Sequence, residues 1–135
     1  MTEKKLQRED LFYPELSYRI VGCAFEVYNV LGSGYHEKYY QRALQKEFQR
    51  NTIRSREQVG FPLYFRESIV GKERVDFIVE EKIIVEIKKG DRYSKRHIDQ
   101  VLGYLKASNL LLAILINFGH DSVKFNRMIN SINSK

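Results

Sequence analysis

Two carboxylates and an amine interrupt an otherwise apolar stretch of the chain. In VDFIVEEKIIVEIKK, residues 75–89, the side chains of Asp76, Glu86 and Lys88 stand among valine, isoleucine and phenylalanine. Neighbouring carboxylates repel each other, more so when partly buried, so such a pair usually binds a metal ion, shares a proton or is neutralised by a cation. An oxygen-rich site without sulfur favours Mg²⁺ or Mn²⁺ over zinc.

The spacing of these residues predicts a polar face on a β-hairpin. Glu86 and Lys88 are two residues apart, so in a strand they share one face at about 6.6–6.8 Å. Asp76 joins them only if residues paired across the hairpin have numbers with an even sum, as 76 and 86 do. That register requires a three-residue loop at residues 80–82 or an equivalent bulge, because a two-residue turn would send Asp76 to the opposite face.

Two interpretations of this cluster are open. A metal ion between Asp76 and Glu86 would give Lys88 a function, because the amine can orient or deprotonate a water for attack on a phosphodiester. The short pattern is also compatible with a salt bridge between Lys88 and one carboxylate on a sheet surface, with Asp76 solvated.

Two helices are predicted before this hairpin. The first 14 residues are polar and end at Pro14, which indicates a lead-in before a helix from about Glu15. Apolar residues recur at helical spacing up to Leu31, LGSG at residues 31–34 breaks the pattern, and a second helix ends at Asn51.

The rest of the chain predicts strands and one more helix. Three stretches rich in Val, Ile, Phe and Tyr predict a meander, and a helix follows from an N-cap at Ser94 to Asn109. Residues 110–118, LLLAILINF, are apolar at consecutive positions, which indicates a strand in the middle of the sheet, parallel to the one before the helix. With a last short strand, the order α-α-β-β-β-α-β-β predicts an α/β sandwich around a mixed sheet.

Length and composition predict one soluble domain. A chain of 135 residues is too short for two ordinary domains, so we expect a single domain over residues 15–130 and a tail at 131–135. The longest apolar run is too short for a membrane span and the first ten residues are too charged for a signal peptide, so we expect a cytoplasmic protein without a membrane partner. The single cysteine, Cys23, is predicted to lie in the core.

The charge balance favours a polyanionic partner. Lys and Arg outnumber Asp and Glu by 23 to 17, for a net charge of +6. KKGDRYSKRH, residues 88–97, concentrates five of these cations, which fits a phosphate-contacting patch as well as a solvated loop.

Four short motifs occur in order and together resemble the PD-(D/E)xK nuclease superfamily. VD at residues 75–76 and EIK at 86–88 resemble the hairpin motif, although valine stands where the motif's name has proline. GYHEKYY at 34–40 resembles the signature of the GxxExxY family within that superfamily. QVLGY at 100–104 resembles its QxxxY helix element, and INFG at 116–119 continues the similarity.

This resemblance implies a restriction-endonuclease-like fold and a metal-dependent nuclease, for which we expect DNA as the substrate. It implies that Asp76 and Glu86 hold Mg²⁺ or Mn²⁺, that Glu37 completes or extends the metal site, and that Lys88 assists the attacking water. Gln100 and Tyr104 are implied to support the site or to touch the phosphate backbone. We further expect the basic segment to grip that backbone through Lys89, Arg92, Lys95 and Arg96.

Other residues of these motifs have structural interpretations. His97 shares the helix face of the QxxxY element, and we interpret it as an ordinary helix-start histidine. Tyr40 is interpreted as a packed aromatic that fixes the helix carrying Glu37, and Gly34 as a backbone device at the start of that helix.

One alternative from another functional class is a non-catalytic module on the same fold that binds nucleic acid or protein. It predicts binding that is indifferent to Mg²⁺ and to Asp76→Asn. A chain this small offers little surface to a duplex, which makes a homodimer plausible, although no sequence feature identifies its interface.

Overall fold

The computed structural model describes residues 12–130, so most of the predicted lead-in and the whole predicted tail lie outside the described residues. The helices and strands of this part of the chain are α1 (Pro14–Leu31), α2 (Glu37–Arg50), β1 (Ser55–Phe65), β2 (Ser68–Val79), β3 (Ile83–Lys89), α3 (Lys95–Ser108), β4 (Leu112–Phe118) and β5 (Val123–Ile129). The predicted element order is therefore confirmed.

The strands form one mixed sheet in the order β1-β2-β3-β4-β5. All neighbouring strands are antiparallel except β3 and β4, which are parallel because α3 carries the chain back between them. All seven residues of β4 are buried, as its unbroken apolar sequence predicts. The fold is thus the predicted α/β sandwich with helices on both faces of a mixed sheet.

Strand β3 lies at the centre of the sheet and is covered on both faces. Its residues Val85 and Ile87 pack into the core formed with α1 and α2, whereas Ile84 packs into the core formed with α3. The polar residues Glu86 and Lys88 of β3 therefore lie beside a dry interior. An unpaired charge in such an interior is costly.

The helix boundaries follow the local signals in the sequence. Pro14 begins α1, Ser94 caps α3 by accepting a hydrogen bond from the His97 amide at 3.1 Å, and Asn109 ends α3 with φ at 65°. Cys23 is 4% exposed, and burial raises the pKa of its thiol to about 11. The prediction that Cys23 belongs to the core is confirmed.

The end of β4 and the turn after it hold the start of the basic segment, residues 88–97, in place. The Asn117 side-chain amide donates to the carbonyls of Gly90 and Arg92 at 2.9 and 3.2 Å. Asp91 accepts from the His120 amide at 2.6 Å. A Cβ on Gly119 would lie 2.6 Å from an oxygen of the Asp91 side chain, so the turn closes only around glycine.

Gly119→Ala is expected to lower the free energy of unfolding by about 1–3 kcal/mol, because the added methyl must displace Asp91 and the backbone of Ser122. Urea denaturation measures this change. Gly103→Ala is the matched control: a Cβ at this position on α3 meets no atom within 4 Å, so we expect a gain of about 0.5–1 kcal/mol. Equal effects of the two substitutions would contradict the close packing at Gly119.

No helix within residues 12–130 is long and apolar enough to cross a membrane.

Candidate active site

The hairpin between β2 and β3 has the odd loop on which the candidate site depends. Phe77 pairs with Val85 and Val79 with Ile83, which leaves the three residues 80–82 as the loop. Glu80 and Glu81 both adopt left-handed backbone conformations, with φ of 52° and 59°. The predicted register, in which numbers of paired residues have an even sum, is confirmed.

The hairpin ladder opens at the point where the carboxylates occur. The Asp76 amide donates to Glu86 Oε1 at 2.7 Å, and the Ile87 amide donates to Asp76 Oδ2 at 2.8 Å. Each carboxylate therefore accepts a backbone hydrogen bond from the opposite strand. The two side chains meet across a gap between β2 and β3.

This arrangement differs from the polar sheet face that the spacing predicted. Val75 and Ile78 both pack against the α3 core, so the alternation of side chains along β2 changes next to Asp76. Glu86 is only 3% exposed. The carboxylates lie between two strands that separate, in a largely dry environment, rather than on an open surface.

Burial changes the acidity of both carboxyl groups. It is the largest cause of a rise in the pKa of Glu86 to about 8, and the nearby charge of Asp76 raises that pKa further. Burial also raises the pKa of Asp76, against the opposing effect of the Ile87 amide. Both carboxylates would be stabilised by a positive charge placed between or beside them.

Among the residues that the structure describes, Lys88 is the cation that forms an ion pair with this carboxylate pair. Its Nζ lies 3.9 Å from Glu86 Oε2, its side chain is 20% exposed, and its charge lowers the pKa of both Asp76 and Glu86. The salt bridge of the simpler interpretation is therefore present, but Asp76 is not solvated in the way that interpretation required.

Glu37 approaches the same site from α2. It is the first residue of that helix, where a carboxylate is favoured by the helix dipole. Its Oε2 accepts from the Lys89 amide at 3.1 Å, and its charge raises the pKa of both Asp76 and Glu86. The structure thus brings Glu37 to the end of β3, close enough for its charge to act on the carboxylate pair.

Tyr40 explains how Glu37 reaches this position. The Tyr40 ring is fully buried and stacks on Phe118 with centroids 4.3 Å apart, which fixes α2 to β4. Its hydroxyl donates to the Gly32 carbonyl at 2.6 Å, and Gly34 takes a φ of 96° in the loop before α2. The structural interpretations of Tyr40 and Gly34 are confirmed.

The QxxxY element lies on the other face of the sheet. Tyr104 is 3% exposed, and burial followed by the charge of Glu86 raises the pKa of its hydroxyl. Gln100 is exposed, and its side chain lowers the pKa of the Tyr104 hydroxyl against the larger effect of burial. His97 Nδ1 is buried and has no hydrogen-bond partner within residues 12–130.

Four basic side chains follow the site along the chain. They are exposed and lie in the segment that Asn117 anchors, namely Lys89, Arg92, Lys95 and Arg96. Two of them, Lys95 and Arg96, begin α3, whose first turn contains no acidic residue.

Gln58 is a site residue that the sequence did not indicate. Gln58 lies on β1, opposite Asp76 on β2. Its side-chain amide donates to Asp76 Oδ1 at 3.3 Å and to Gln41 Oε1 at 3.0 Å. A glutamine in the segment EQVG has no distinguishing pattern, so no sequence signal could have selected it.

Within residues 12–130, no three Asp, Glu, His or Cys side chains are gathered in the manner of a metal site. Asp76, Glu86 and Glu37 each direct one oxygen to a backbone amide. Of the second oxygens, Asp76 Oδ1 accepts from Gln58 at 3.3 Å and Glu86 Oε2 lies 3.9 Å from Lys88 Nζ.

The fold is an α/β sandwich around a mixed sheet. Its candidate site consists of two carboxylates, Asp76 and Glu86, and Lys88, which meet where β2 and β3 separate. A sequence model described as the PD-(D/E)XK nuclease superfamily matches residues 14–128. The chain therefore belongs to the PD-(D/E)XK nuclease superfamily.

A solved structure supports the same fold. The crystal structure of SSO0001 superposes with a TM-score of 0.54 at 19% sequence identity, over 90% of this chain and 61% of that one. The chain thus matches less than two thirds of the length of SSO0001, and the likeness concerns the fold alone. No curated protein matches the chain significantly.

Proposed function

We propose that this protein is a metal-dependent nuclease that hydrolyses phosphodiester bonds in DNA. The observation that carries the proposal is the opening between β2 and β3, where Asp76, Glu86 and Lys88 meet and which Glu37 approaches from α2. Membership of the PD-(D/E)XK nuclease superfamily supports the reaction class.

The donor set of the site fits Mg²⁺ or Mn²⁺. Asp76 and Glu86 offer adjacent hard oxygen ligands, and Mg²⁺ is commonly held by one or two carboxylates together with waters. Burial raises the pKa of both carboxyl groups, so a divalent cation would offset the cost of ionising them. We assign Asp76, Glu86 and Glu37 as the residues that would hold it. When bound, the cation would supply Lewis-acid stabilisation of the charge that develops on the phosphate.

Lys88 is assigned to the attacking water. Its ammonium group lies beside Glu86 and is partly exposed, so it can donate a hydrogen bond to a water at the mouth of the site. A donor at this point orients the lone pair of the water toward the phosphorus and stabilises negative charge in the transition state. Tyr104 and Gln100 would support Glu86 from the α3 side.

The basic segment is assigned to the nucleic-acid backbone. Lys95 and Arg96 stand in the first turn of α3, where the helix dipole disfavours cations but favours a bound anion. Placing cations there lowers the stability of α3 in the free protein. A bound phosphate would offset this cost. Lys89 and Arg92, both exposed next to the site, would extend the same contact.

Cleavage assays on labelled single-stranded, duplex and branched DNA test the proposed reaction. We expect products only with Mg²⁺ or Mn²⁺, and none from Asp76→Ala prepared in parallel, which controls for contaminating nucleases. Metal-independent binding without cleavage of any substrate would instead support the non-catalytic module. RNA substrates tested in the same way distinguish the nucleic-acid type.

Several finer statements from the sequence stay predictions. These are membership of the GxxExxY family, the domain boundaries at residues 15 and 130, the cytoplasmic location and the homodimer.

A further inference from the structure

A strained glutamine stands directly opposite Asp76. Gln58 has a φ of 51° in the middle of β1, a left-handed conformation that side chains other than glycine adopt rarely. Glu57 pairs with Phe77 and Val59 with Val75, but the intervening pair of Gln58 with Asp76 is missing from the ladder. The irregularity of β1 therefore coincides with a residue of the candidate active site.

The side chain of Gln58 connects three elements at this point. Its amide nitrogen donates to Asp76 Oδ1 on β2 at 3.3 Å and to Gln41 Oε1 on α2 at 3.0 Å. Gln41 in turn donates to Glu57 Oε1 on β1 at 3.3 Å. Both hydrogens of the Gln58 amide thus have acceptors, and one of them is the carboxylate.

Asp76 is consequently held at both oxygens. Oδ2 accepts from the Ile87 amide, and Oδ1 accepts from Gln58. A carboxylate fixed by two donors from different strands cannot rotate freely about its terminal bond. Such outer contacts orient metal-binding carboxylates and commonly change metal affinity about 10–100-fold when they are removed.

We propose that Gln58 is a positioning residue that orients the Asp76 carboxylate for the divalent cation, and that the left-handed backbone at Gln58 exists to deliver this contact. The proposal rests on the proposed metal-dependent function. Gln58 is exposed, so packing does not require its left-handed backbone conformation. Backbone strain of this kind is typical of functional sites.

Substitutions separate the amide from the backbone strain. Gln58→Met keeps the length of the side chain but removes the donor, whereas Gln58→Gly removes the donor and relieves the strain. Arg66→Gly is the matched control. Arg66 also has a positive φ, 56°, but it lies in the turn between β1 and β2, away from Asp76. Asp76→Ala tests whether the metal site exists at all.

The measurement is Mn²⁺ binding by isothermal titration calorimetry in the absence of DNA, together with thermal unfolding without metal. We expect the Kd for Mn²⁺ to rise about 10-fold or more in Gln58→Met and Gln58→Gly, but to stay at the wild-type value in Arg66→Gly. Both glycine variants are expected to unfold at a higher temperature than wild type. Cleavage by Gln58→Met should recover as the Mg²⁺ concentration is raised.

Three results would overturn the proposal in distinguishable ways. If the wild type binds Mn²⁺ and Asp76→Ala does not, but both Gln58 variants bind at wild-type affinity, only the positioning role fails. If Gln58→Met binds normally and Gln58→Gly alone is impaired, the backbone rather than the amide matters. If the wild type and Asp76→Ala are alike in lacking Mn²⁺ binding, the metal site fails and the role of Gln58 fails with it.

Discussion

Lys88→Ala is expected to lower the rate of DNA cleavage at saturating Mg²⁺ by about 10²–10⁴-fold while DNA binding is retained. The ammonium group of Lys88 lies 3.9 Å from Glu86 Oε2 and is partly exposed, so its loss removes the only lysine shown to contact the carboxylate pair within residues 12–130. Single-turnover cleavage and a separate binding titration measure the two quantities.

A matched lysine variant shows whether the effect is specific. Lys82→Ala removes an exposed lysine from the loop of the same hairpin, away from the carboxylates, and is expected to cleave at the wild-type rate. Lys89→Ala, on the residue after Lys88, is expected to weaken DNA binding with little change in the maximal rate. Unchanged cleavage by Lys88→Ala would exclude Lys88 from the mechanism.

The second large effect concerns stability and pH. The pKa of Glu86 is raised from its ordinary value of 4.5 to about 8, so between these pH values the folded state binds more protons than the unfolded state. The free energy of unfolding must then fall as the pH rises through this window, and no further loss is expected above it. We expect this fall in metal-free protein measured by urea denaturation from pH 5 to pH 8.5.

Glu86→Gln is expected to remove most of this dependence. The amide cannot ionise, and at about 1.4 kcal/mol per pKa unit the variant should be more stable than the metal-free wild type at pH 8 by on the order of 2–4 kcal/mol. It should also be inactive, because a proposed metal ligand is lost. Stability would thus be gained at the position where activity is lost.

Two controls accompany this experiment. Glu67→Gln changes an exposed glutamate between β1 and β2 and is expected to leave the pH dependence as in wild type. Mg²⁺ added to the wild type should raise its unfolding temperature more at pH 8 than at pH 5, because the cation competes with protons for the same carboxylates. A free energy of unfolding that stays level or rises from pH 5 to pH 8 would mean that Glu86 is ionised at no cost.

Much of the fold could be predicted because its signals are local. The change from helical to extended periodicity after Asn51, the cap at Ser94 and the unbroken apolar run of β4 each predicted an element that the structure contains. The odd hairpin loop could also be predicted, because the period of a strand is two and only one register brings residues 76 and 86 together.

The sequence by itself determined which carboxylates and which lysine come together, since the hairpin and its register are set within fifteen consecutive residues. Only the tertiary structure decided that Glu86 is buried, that the ladder opens around Asp76, and that Gln58 on β1 contacts Asp76 on β2. These features depend on how α2, α3 and β1 pack around the end of β3, and such long-range packing leaves no periodic pattern in the chain. The residue types of the site are therefore a local property of the sequence, whereas their acidity and orientation are properties of the whole fold.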